Sequence, residues 1–405
     1  MSPVASARDR LLAAIEGADG APVPCSFMIF RALRQRCRDE YEFANRQAEM
    51  GLDARVQLDD LPMRLAPGVE VREWVEEGTA GQKILHRIYQ TPAGELAAAV
   101  RRTEDWPYGD RLPLWDDYVT PRAVAYPITG PEHLEALRWL LPDPTDEDID
   151  AFRREAAARK RFARERGFLF AGGWKSHRDV AGEDVTLVGQ NGGTGTVIDA
   201  LMWLCGGTEP LLWAYDQPDF LRELIGTIEV WNRRRLEVHL DAGLDLVVRR
   251  AWYEGTDFWS PRFFREFILP GLRREAQLAH QAGARMGYIM TSGMMPIADL
   301  IVESGVDAII GIDPGEGKGT TLADVRESLG GRVALWGGGS GPLVVEEGEE
   351  KDVRRAVDEA MSELAPTGRF ILCPVDNVRA DTERAWRNVQ VFIEAWRRAA
   401  REMGR

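Results

Sequence analysis

Three short apolar runs dominate the centre of the chain, and an amphipathic segment follows each of them. The runs cover residues 244–254, 285–293 and 308–313, and small or polar residues gather at the carboxyl end of each. Between the first two, Ser260 and Pro261 open a stretch with apolar residues at helical spacing, which is typical of a helix N-terminus. Strand, loop and helix in repeated order predict parallel β/α units, whose functional residues collect where the strands end.

Further strand and helix patterns surround this central stretch. The other predicted strands cover residues 22–30, 55–61, 167–174, 332–339 and 369–376. Predicted helices cover residues 8–16, 143–166, 322–329, 349–364 and 382–403, with more helix between 209 and 242. About eight strand candidates, most of them followed by a helix, predict a closed (β/α)8 TIM barrel rather than an open sheet. We expect residues 1–405 to form a single barrel domain, and no strong Rossmann fingerprint opposes this prediction.

Residues 65–130 have a different texture. Apolar and polar residues alternate over residues 82–89, and a turn sequence follows at 91–96, which predicts a β-hairpin. The segment ends in an aromatic loop at 106–109. We interpret it as a β-rich insertion and expect it to cover one mouth of the barrel as a lid.

Composition and charge narrow the functional classes. The 405 residues are 44% hydrophobic and 29% charged, which is enough for a full core, and the net charge is −14. An acidic chain without a basic block is a poor nucleic-acid binder. The chain has no run of 18 apolar residues, so we expect no membrane span. The N-terminus lacks the apolar core of a signal peptide, and four cysteines without CxxC spacing indicate reduced thiols. We therefore expect a cytoplasmic protein.

Several central segments together resemble the uroporphyrinogen decarboxylase superfamily: residues 241–245, 260–270, 280–283, 303–307 and the helix start at Thr382. The resemblance is good over residues 165–405. It implies a (β/α)8 barrel with a deep cleft at the strand C-termini, and often a homodimer. The superfamily includes porphyrinogen decarboxylases and methyltransferases that move methyl groups to or from corrinoid proteins or thiols. The turn at 91–96 looks more like the branch that acts on methoxylated or methylated small molecules.

The sequence departs from the zinc methyltransferases of this superfamily at the metal ligands. In those enzymes the strand corresponding to residues 285–290 ends in His-x-Cys-Gly, and a second Cys lies beyond the last strand. Here Met290 and Ser292 replace the first pair, and Asp376 replaces the second Cys, with Cys373 three residues earlier. Zinc prefers thiolate and imidazole ligands. We therefore predict that the zinc site of the family is lost, and we assign no residue of the sequence to a metal.

The sequence also departs from the porphyrinogen decarboxylases. Arg31 and Arg34 approximate the arginine pair that follows the first strand, although their spacing of three differs from the spacing of four in the family. Asp59 or Asp60 can stand in for the acid after the second strand, and the closing histidine is missing. A role in haem biosynthesis is therefore disfavoured.

The remaining polar and aromatic residues at the strand ends define a candidate site. Glu254 ends an apolar strand beside Trp252, so we expect partial desolvation to favour its protonated form and to make it a general acid. Tyr288 and Asp376 complete the predicted catalytic set. The substrate-binding candidates are Trp252, Tyr253, Asp257, Met290, Ser292, Asp313, Trp336, His177 and Arg31. Structural roles remain open alternatives: packing for the tryptophans, a turn cap for Asp313, and a structural histidine for His177.

Three functions remain open at this point. Aromatic residues with a few carboxylates suit a neutral or aromatic small molecule, so our first hypothesis is a methyltransferase. It would move a methyl group from a methoxylated compound to a corrinoid protein, while an acid assists the leaving group and the corrinoid supplies nucleophilicity. The second is a decarboxylase of a small acid held by Arg31, Arg34, Arg249 or Arg250. The third is a non-catalytic barrel that binds a ligand.

Overall fold

The structure is a computed structural model that describes residues 5–18, 20–78, 81–173, 194–315 and 320–403. Its strands are β1 (Arg55–Gln57), β2 (Glu70–Glu77), β3 (Lys83–Thr91), β4 (Gly94–Arg101), β5 (Ala123–Ala125), β6 (Leu169–Gly173), β7 (Leu246–Arg250), β8 (Arg285–Ile289), β9 (Ala308–Ile312), β10 (Ala334–Ser340) and β11 (Phe370–Val375). Its α-helices are α1 (Ala7–Glu16), α2 (Arg31–Arg34), α3 (Glu40–Glu49), α4 (Leu134–Leu140), α5 (Asp146–Arg166), α6 (Val197–Cys205), α7 (Glu209–Asp216), α8 (Pro218–Asp241), α9 (Pro261–Phe263), α10 (Leu269–Gln281), α11 (Ala298–Ser304), α12 (Leu322–Leu329), α13 (Glu350–Leu364) and α14 (Glu383–Glu402).

Contacts divide the chain into two compact units. Unit 1 comprises Met1–Leu58, Arg154–Gly172 and Leu240–Arg405, and unit 2 comprises Asp59–Arg153 and Gly173–His239. None of the helices in the described ranges combines the length and the apolar character that a membrane span requires.

Unit 1 is built on a parallel sheet in the order β1-β6-β7-β8-β9-β10-β11. The segment around Cys25 closes it. Ser26 N–H donates to the Leu372 carbonyl over 3.0 Å, and Asp53 N–H donates to the Cys25 carbonyl over 2.8 Å. The prediction of a (β/α)8 barrel is therefore confirmed. The predicted first strand is reduced to a single bridge at Cys25, because the neighbouring Pro24 has no N–H to donate to a ladder.

The strand register separates the two faces of the barrel wall. Ile289, Ile310 and Trp336 are paired across β8, β9 and β10, so their side chains share one face. Tyr288, Ile309 and Leu335 are paired one residue earlier, and their side chains share the other face. This alternation decides which of the predicted site residues can reach the hollow of the barrel.

The helices of unit 1 bury one side each. In α13 the buried residues Val353, Val357, Ala360 and Leu364 recur at helical spacing, as the periodic pattern predicts. The predicted helix start at Ser260 is confirmed, since its side chain accepts a bond from the Phe263 N–H. The helix then passes through a π-helical segment, Phe264–Ile268, before α10 begins. Pro270 has no N–H to continue the α-helical ladder, which accounts for the change of register there.

Unit 2 contains an antiparallel sheet in the order β2-β3-β4-β5. The predicted hairpin is confirmed: β3 and β4 pair from Ile84 with Arg101 to Thr91 with Gly94, and Thr91 Oγ1 donates to the Gly94 carbonyl over 2.7 Å at the turn. One face of the sheet packs a small core around Leu85, Trp106 and Tyr108. The β-rich insertion expected over residues 65–130 is therefore confirmed.

Unit 2 also holds a buried polar cluster around Asp60. Its carboxylate accepts bonds from Thr194 N–H (2.6 Å) and Thr194 Oγ1 (2.8 Å), from Arg235 Nη2 (3.2 Å) and from His239 Nε2 (3.0 Å). Because His239 Nδ1 accepts from the Gly173 N–H, Nε2 is the nitrogen that donates. Burial by itself would raise the pKa of Asp60, but Arg235 and His239 outweigh burial and hold that pKa well below its usual range.

Candidate active site

In the part of the chain that the structure describes, two pockets are found where the barrel strands end, on the face that carries the active site in TIM-barrel enzymes. The loop pocket has a volume of about 270 Å³ and is lined by the segments that follow β7, β8 and β9, together with the start of α12. The mouth pocket has a volume of about 20 Å³ and is lined by strand ends of β8 to β11, the segment at Met28 and Trp252. Thr291 lines both pockets.

The walls of the loop pocket are fixed by bonds between the loops after β7 and β8. The backbone N–H and Oγ1 of Thr256 donate to the Gly293 carbonyl over 3.0 and 2.9 Å, and Ser292 Oγ donates to Asp257 Oδ2 over 2.7 Å. Gly293 has φ 69°, and a Cβ at this position would lie 2.6 Å from the Thr256 nitrogen. Only glycine allows this close approach, because it has no side chain. The glycine at position 293 therefore lets the loop after β8 pack directly against Thr256 and Asp257.

Asp313 contributes a second carboxylate to the loop pocket. It follows β9 and is only 4% exposed, and its Oδ1 accepts the Gly315 N–H over 2.7 Å. The turn-capping contact considered from the sequence is therefore present, and the same side chain also lines the pocket. Asp257, Ser292 and Asp313, all predicted as substrate-binding residues, share this one pocket.

The mouth pocket brings together Trp252, Trp336 and Asp376, which the sequence also predicted. The indole N–H of the fully buried Trp336 donates to the Ser26 carbonyl over 2.9 Å. The guanidinium carbon of Arg250 lies 3.9 Å from the ring centroid of Trp252 and holds this indole by a cation–π contact. Both aromatic walls therefore have fixed positions.

Asp376 has a strained backbone at the end of β11. It has φ 29°, the one positive φ among the non-glycine residues that the structure describes, and its Oδ2 accepts from Arg379 Nη2 over 2.8 Å. In this region of φ/ψ space the Cβ atom of any residue other than glycine clashes with the backbone, which raises the conformational energy. Strain of this kind clusters at functional sites, and Asp376 lines the mouth pocket.

Glu254 and Tyr288 lie elsewhere. Arg249 and Tyr288 are paired on β7 and β8, and both side chains reach the Glu254 carboxylate. Arg249 also pairs with Glu275 of the outer helix α10 over 2.9 Å. This network therefore occupies the helix-facing side of the wall, and neither Glu254 nor Tyr288 is among the described lining residues of the two pockets. Tyr288 alternates with Ile289, which lines the mouth pocket together with Asp376, so in the described residues Tyr288 and Asp376 do not share a pocket.

The remaining candidates have mixed placements. Tyr253 packs its ring 5.4 Å from Phe258, and Met290 is buried without lining either pocket. The backbone N–H of Arg31 donates to Asn377 Oδ1 over 3.1 Å. His177 lies outside the residues that the structure describes, so its predicted role stays a prediction.

Comparison with known proteins identifies the family. Residues 158–399 match the family model described as uroporphyrinogen decarboxylase (URO-D). The chain belongs to the uroporphyrinogen decarboxylase family. The resemblance inferred from the sequence is thereby confirmed. No curated protein sequence matches the chain.

Solved structures support the same fold for this uroporphyrinogen decarboxylase family member. A methyltransferase from Methanosarcina mazei has a TM-score of 0.57 at 15% identity, and the match covers 98% of this chain and 99% of that one. A D-psicose 3-epimerase reaches a TM-score of 0.36 at 11% identity, covering 70% and 96% of the two chains. The first likeness shows a shared fold, and the second is too weak to support an argument.

The residues at the zinc-ligand positions do not fit zinc in this family member. Burial raises the pKa of Cys373 to about 12, so the thiol stays protonated, and its sulfur accepts the Met28 N–H over 3.3 Å. Asp376 binds Arg379, and Ser292 binds Asp257. No group of three or more potential metal ligands occurs within the described ranges. The described lining residues supply carboxylates, hydroxyls and apolar walls.

Several residues that line the loop pocket and the mouth pocket were not predicted as site residues from the sequence. Thr256, Thr291 and Gly293 stand directly beside residues that were predicted, and Ile289 and Ile310 look like any other core residue of a strand. The only available signal was their position at a strand end. Periodicity alone cannot show which of two neighbouring strand residues faces inward when both are apolar.

Proposed function

We propose that this protein is a methyltransferase that moves a methyl group from a methoxylated small molecule to a corrinoid protein. The observation that carries this proposal is the chemical character of the two pockets. Their lining residues, as far as the structure describes them, are apolar, hydroxyl-bearing or acidic, and they include no Lys, Arg or His. A porphyrinogen is a polyanion and needs cations at its carboxylates, whereas a small neutral ether suits these walls.

The methyl-transfer part of the proposal has further support. The Methanosarcina mazei protein that shares the fold along nearly its whole length is named a methyltransferase. The family also contains decarboxylases, so family membership leaves both reactions open, and pocket chemistry is what favours methyl transfer.

The residues of the loop pocket would orient the ether and deliver a proton. In the proposed reaction the methyl C–O bond breaks, its electron pair stays on the oxygen, and that oxygen takes up a proton. The methyl group passes to the reduced corrinoid of the acceptor protein, which contributes the electron pair of the new bond. We assign the proton to Asp313, the buried carboxyl group of the loop pocket, and substrate orientation to Asp257 and Ser292.

An anaerobic assay with 2-methoxyphenol and free cob(I)alamin tests the proposal. We expect catechol and methylcobalamin to form in equal amounts, and only when the protein is present. Phenol, which lacks the methoxy group, serves as the control substrate. The result that would overturn the proposal is release of CO2 from a matched acid, 2-methoxybenzoate, with no methyl transfer from either methoxy compound. That result would establish the decarboxylase alternative.

A further inference from the structure

Strand β2 of unit 2 presents an open edge. Among the described residues it lies at one end of the antiparallel sheet and pairs with β3 on one side only. Seven of its eight residues are exposed, and they include Trp74 (45%) and Val75 (38%). The backbone groups along such an edge can bind another strand. We infer that β2 joins two copies of this chain, whose β2 strands pair antiparallel about a two-fold axis at Trp74.

The geometry of antiparallel pairing limits how two identical strands can meet. Residues that lie opposite each other direct their backbone N–H and C=O groups either both towards the other strand or both away from it, and the two arrangements alternate along the strand. Two copies of one strand can therefore pair symmetrically only where a residue lies opposite its own copy. Such a two-fold contact is closed, so it produces a dimer and not a fibre.

Charge then selects one register of β2. Four symmetric registers, centred on residues 72 to 75, pair five or more residues of the strand. Three of them place like charges directly opposite: Arg72 faces its own copy, Glu73 faces its own copy, or Glu73 faces Glu77. Like charges in these positions destabilise a strand pair. Only the register centred on Trp74 avoids them.

The register centred on Trp74 forms three favourable cross-strand pairs on one face of the sheet. Arg72 lies opposite Glu76 of the second copy, twice by symmetry, and Trp74 lies opposite its own copy. Opposite-charge and aromatic pairs of this kind stabilise antiparallel strands. His86 already holds two of these side chains: its ring stacks on Trp74 at 4.7 Å, and its Nε2 lies 2.9 Å from Glu76 Oε2. Pairing therefore requires little further ordering of these side chains.

Two features oppose the pairing, and both are weak. Arg72 has another partner, Glu95, but this ion pair is exposed and long at 3.7 Å, so its loss costs little. Strand β2 carries four glutamates and one arginine, so two such strands repel each other at long range. At about 0.15 M salt this repulsion is screened beyond about 8 Å, whereas directly opposite side chains lie closer than that.

A charge-swap series tests this interface, and sedimentation velocity at about 0.15 M salt measures the Kd of dimerisation. Arg72→Glu places glutamates opposite each other, and Glu76→Arg places arginines opposite each other. The double variant restores both opposite-charge pairs in reversed order and keeps the wild-type net charge. Glu77→Arg is the matched control, because it changes the net charge as Glu76→Arg does but faces Val71 of the second copy.

We expect the wild type to form a dimer as its concentration rises. Each of the single variants Arg72→Glu and Glu76→Arg should raise the Kd about tenfold or more, because both symmetric pairs change from attraction to repulsion. The double variant should return the Kd to within about threefold of the wild-type value. Glu77→Arg should not raise the Kd.

Cysteine crosslinking with oxidised glutathione tests the register. The four native cysteines are buried, so an introduced surface thiol is the one that reacts. Trp74→Cys should form a disulfide-linked dimer, because opposite Cβ atoms lie about 4.5–5.5 Å apart. Val75→Cys should not, because this residue lies diagonal to its own copy at about 7–8 Å.

Four results would overturn the inference. These are a wild type that stays monomeric up to about 1 mM, a dimer whose Kd the charge swaps leave unchanged, single variants that the double variant does not rescue, and a crosslink in Val75→Cys without one in Trp74→Cys. A monomer would leave this acidic edge to an extended basic segment of another protein. None of these measurements involves methyl transfer, so the interface and the proposed function are tested separately.

Discussion

Arg249 and Tyr288 occupy paired positions on two neighbouring barrel strands, and both side chains bind the buried carboxylate of Glu254. The strand residues next to them, Arg250 and Ile289, are paired on the opposite face. The wall of the barrel therefore separates a charged network under α10 from the pockets at the mouth. Its contacts with two strands and with α10 predict that the network contributes to stability, which can be tested apart from catalysis.

Arg249→Met should strongly destabilise the protein. The substitution leaves Glu254 and Glu275 buried without their shared cation, and breaking a buried pair in this way costs about 3–5 kcal/mol. Urea denaturation measures the free energy of unfolding. Arg273→Met is the matched control, because Arg273 lies on α10 and makes an exposed pair with Glu303, so its loss should change stability little. Equal stability of the two variants would contradict the assignment.

Asp313→Asn should remove the proton donor that we propose for methyl transfer, while the substrate still binds. A positioned general acid contributes about 100- to 10,000-fold to the rate, so we expect kcat for methyl transfer to fall at least about 100-fold with little change in Kd.

Glu254→Gln should lower stability but keep turnover in the molecules that remain folded, since Glu254 binds Arg249 and Tyr288 outside the two pockets. Loss of turnover in Glu254→Gln alone would return the acid role to Glu254, as the sequence suggested.

Asp376→Val should cost more stability than Asp376→Gly. Both substitutions remove the same carboxylate and its bond to Arg379, so the loss of that bond cancels in their difference and the backbone strain does not. A β-branched residue at φ 29° is sterically strained, and glycine is not, which predicts a difference of about 1–2 kcal/mol. Thermal and chemical denaturation of the two variants measure it, and equal stabilities would show that φ relaxes without cost.

The contribution of Asp60 to stability should disappear at low pH. Its pKa is lower in the folded protein than in the unfolded chain, so its stabilisation is present above the unfolded pKa and is lost as the pH falls towards the folded pKa. With an unfolded pKa near 3.9, we expect the difference in unfolding free energy between wild type and Asp60→Asn to shrink by about 1 kcal/mol from pH 7 to pH 3. A pH-independent difference would show that Asp60 titrates alike in both states.

The hydrophobic pattern predicted most of the fold. The strands that end near Arg250, Ile289, Ile312 and Val375 were located within a few residues, as was the hairpin after Thr91. These elements depend on short apolar runs, turn residues and helix caps, each of which involves only a few consecutive residues. The elements can therefore be predicted from short stretches of the sequence. The uroporphyrinogen decarboxylase family was also visible in the central segments.

The candidate site was predicted only in part. Asp257, Ser292 and Asp313 do share a pocket, and Trp252, Trp336 and Asp376 share the adjacent one. Glu254 and Tyr288 were expected in the same cleft because they also follow or end apolar strands. Their charge network with Arg249 and Glu275 joins residues that are distant in sequence, and no local pattern announces it.

The sequence by itself therefore determined the alternation of strands and helices, the β-rich insertion and the family, because all three depend on local periodicity and recurring segments. Only the tertiary structure decided which face of each strand looks into the hollow. In a parallel barrel both faces of a strand are buried and apolar, so the hydrophobic pattern does not show which side chains point into the barrel and which point towards the helices. The register between strands shows this, and it places Ile310 in the mouth pocket and Tyr288 on the side that faces the helices.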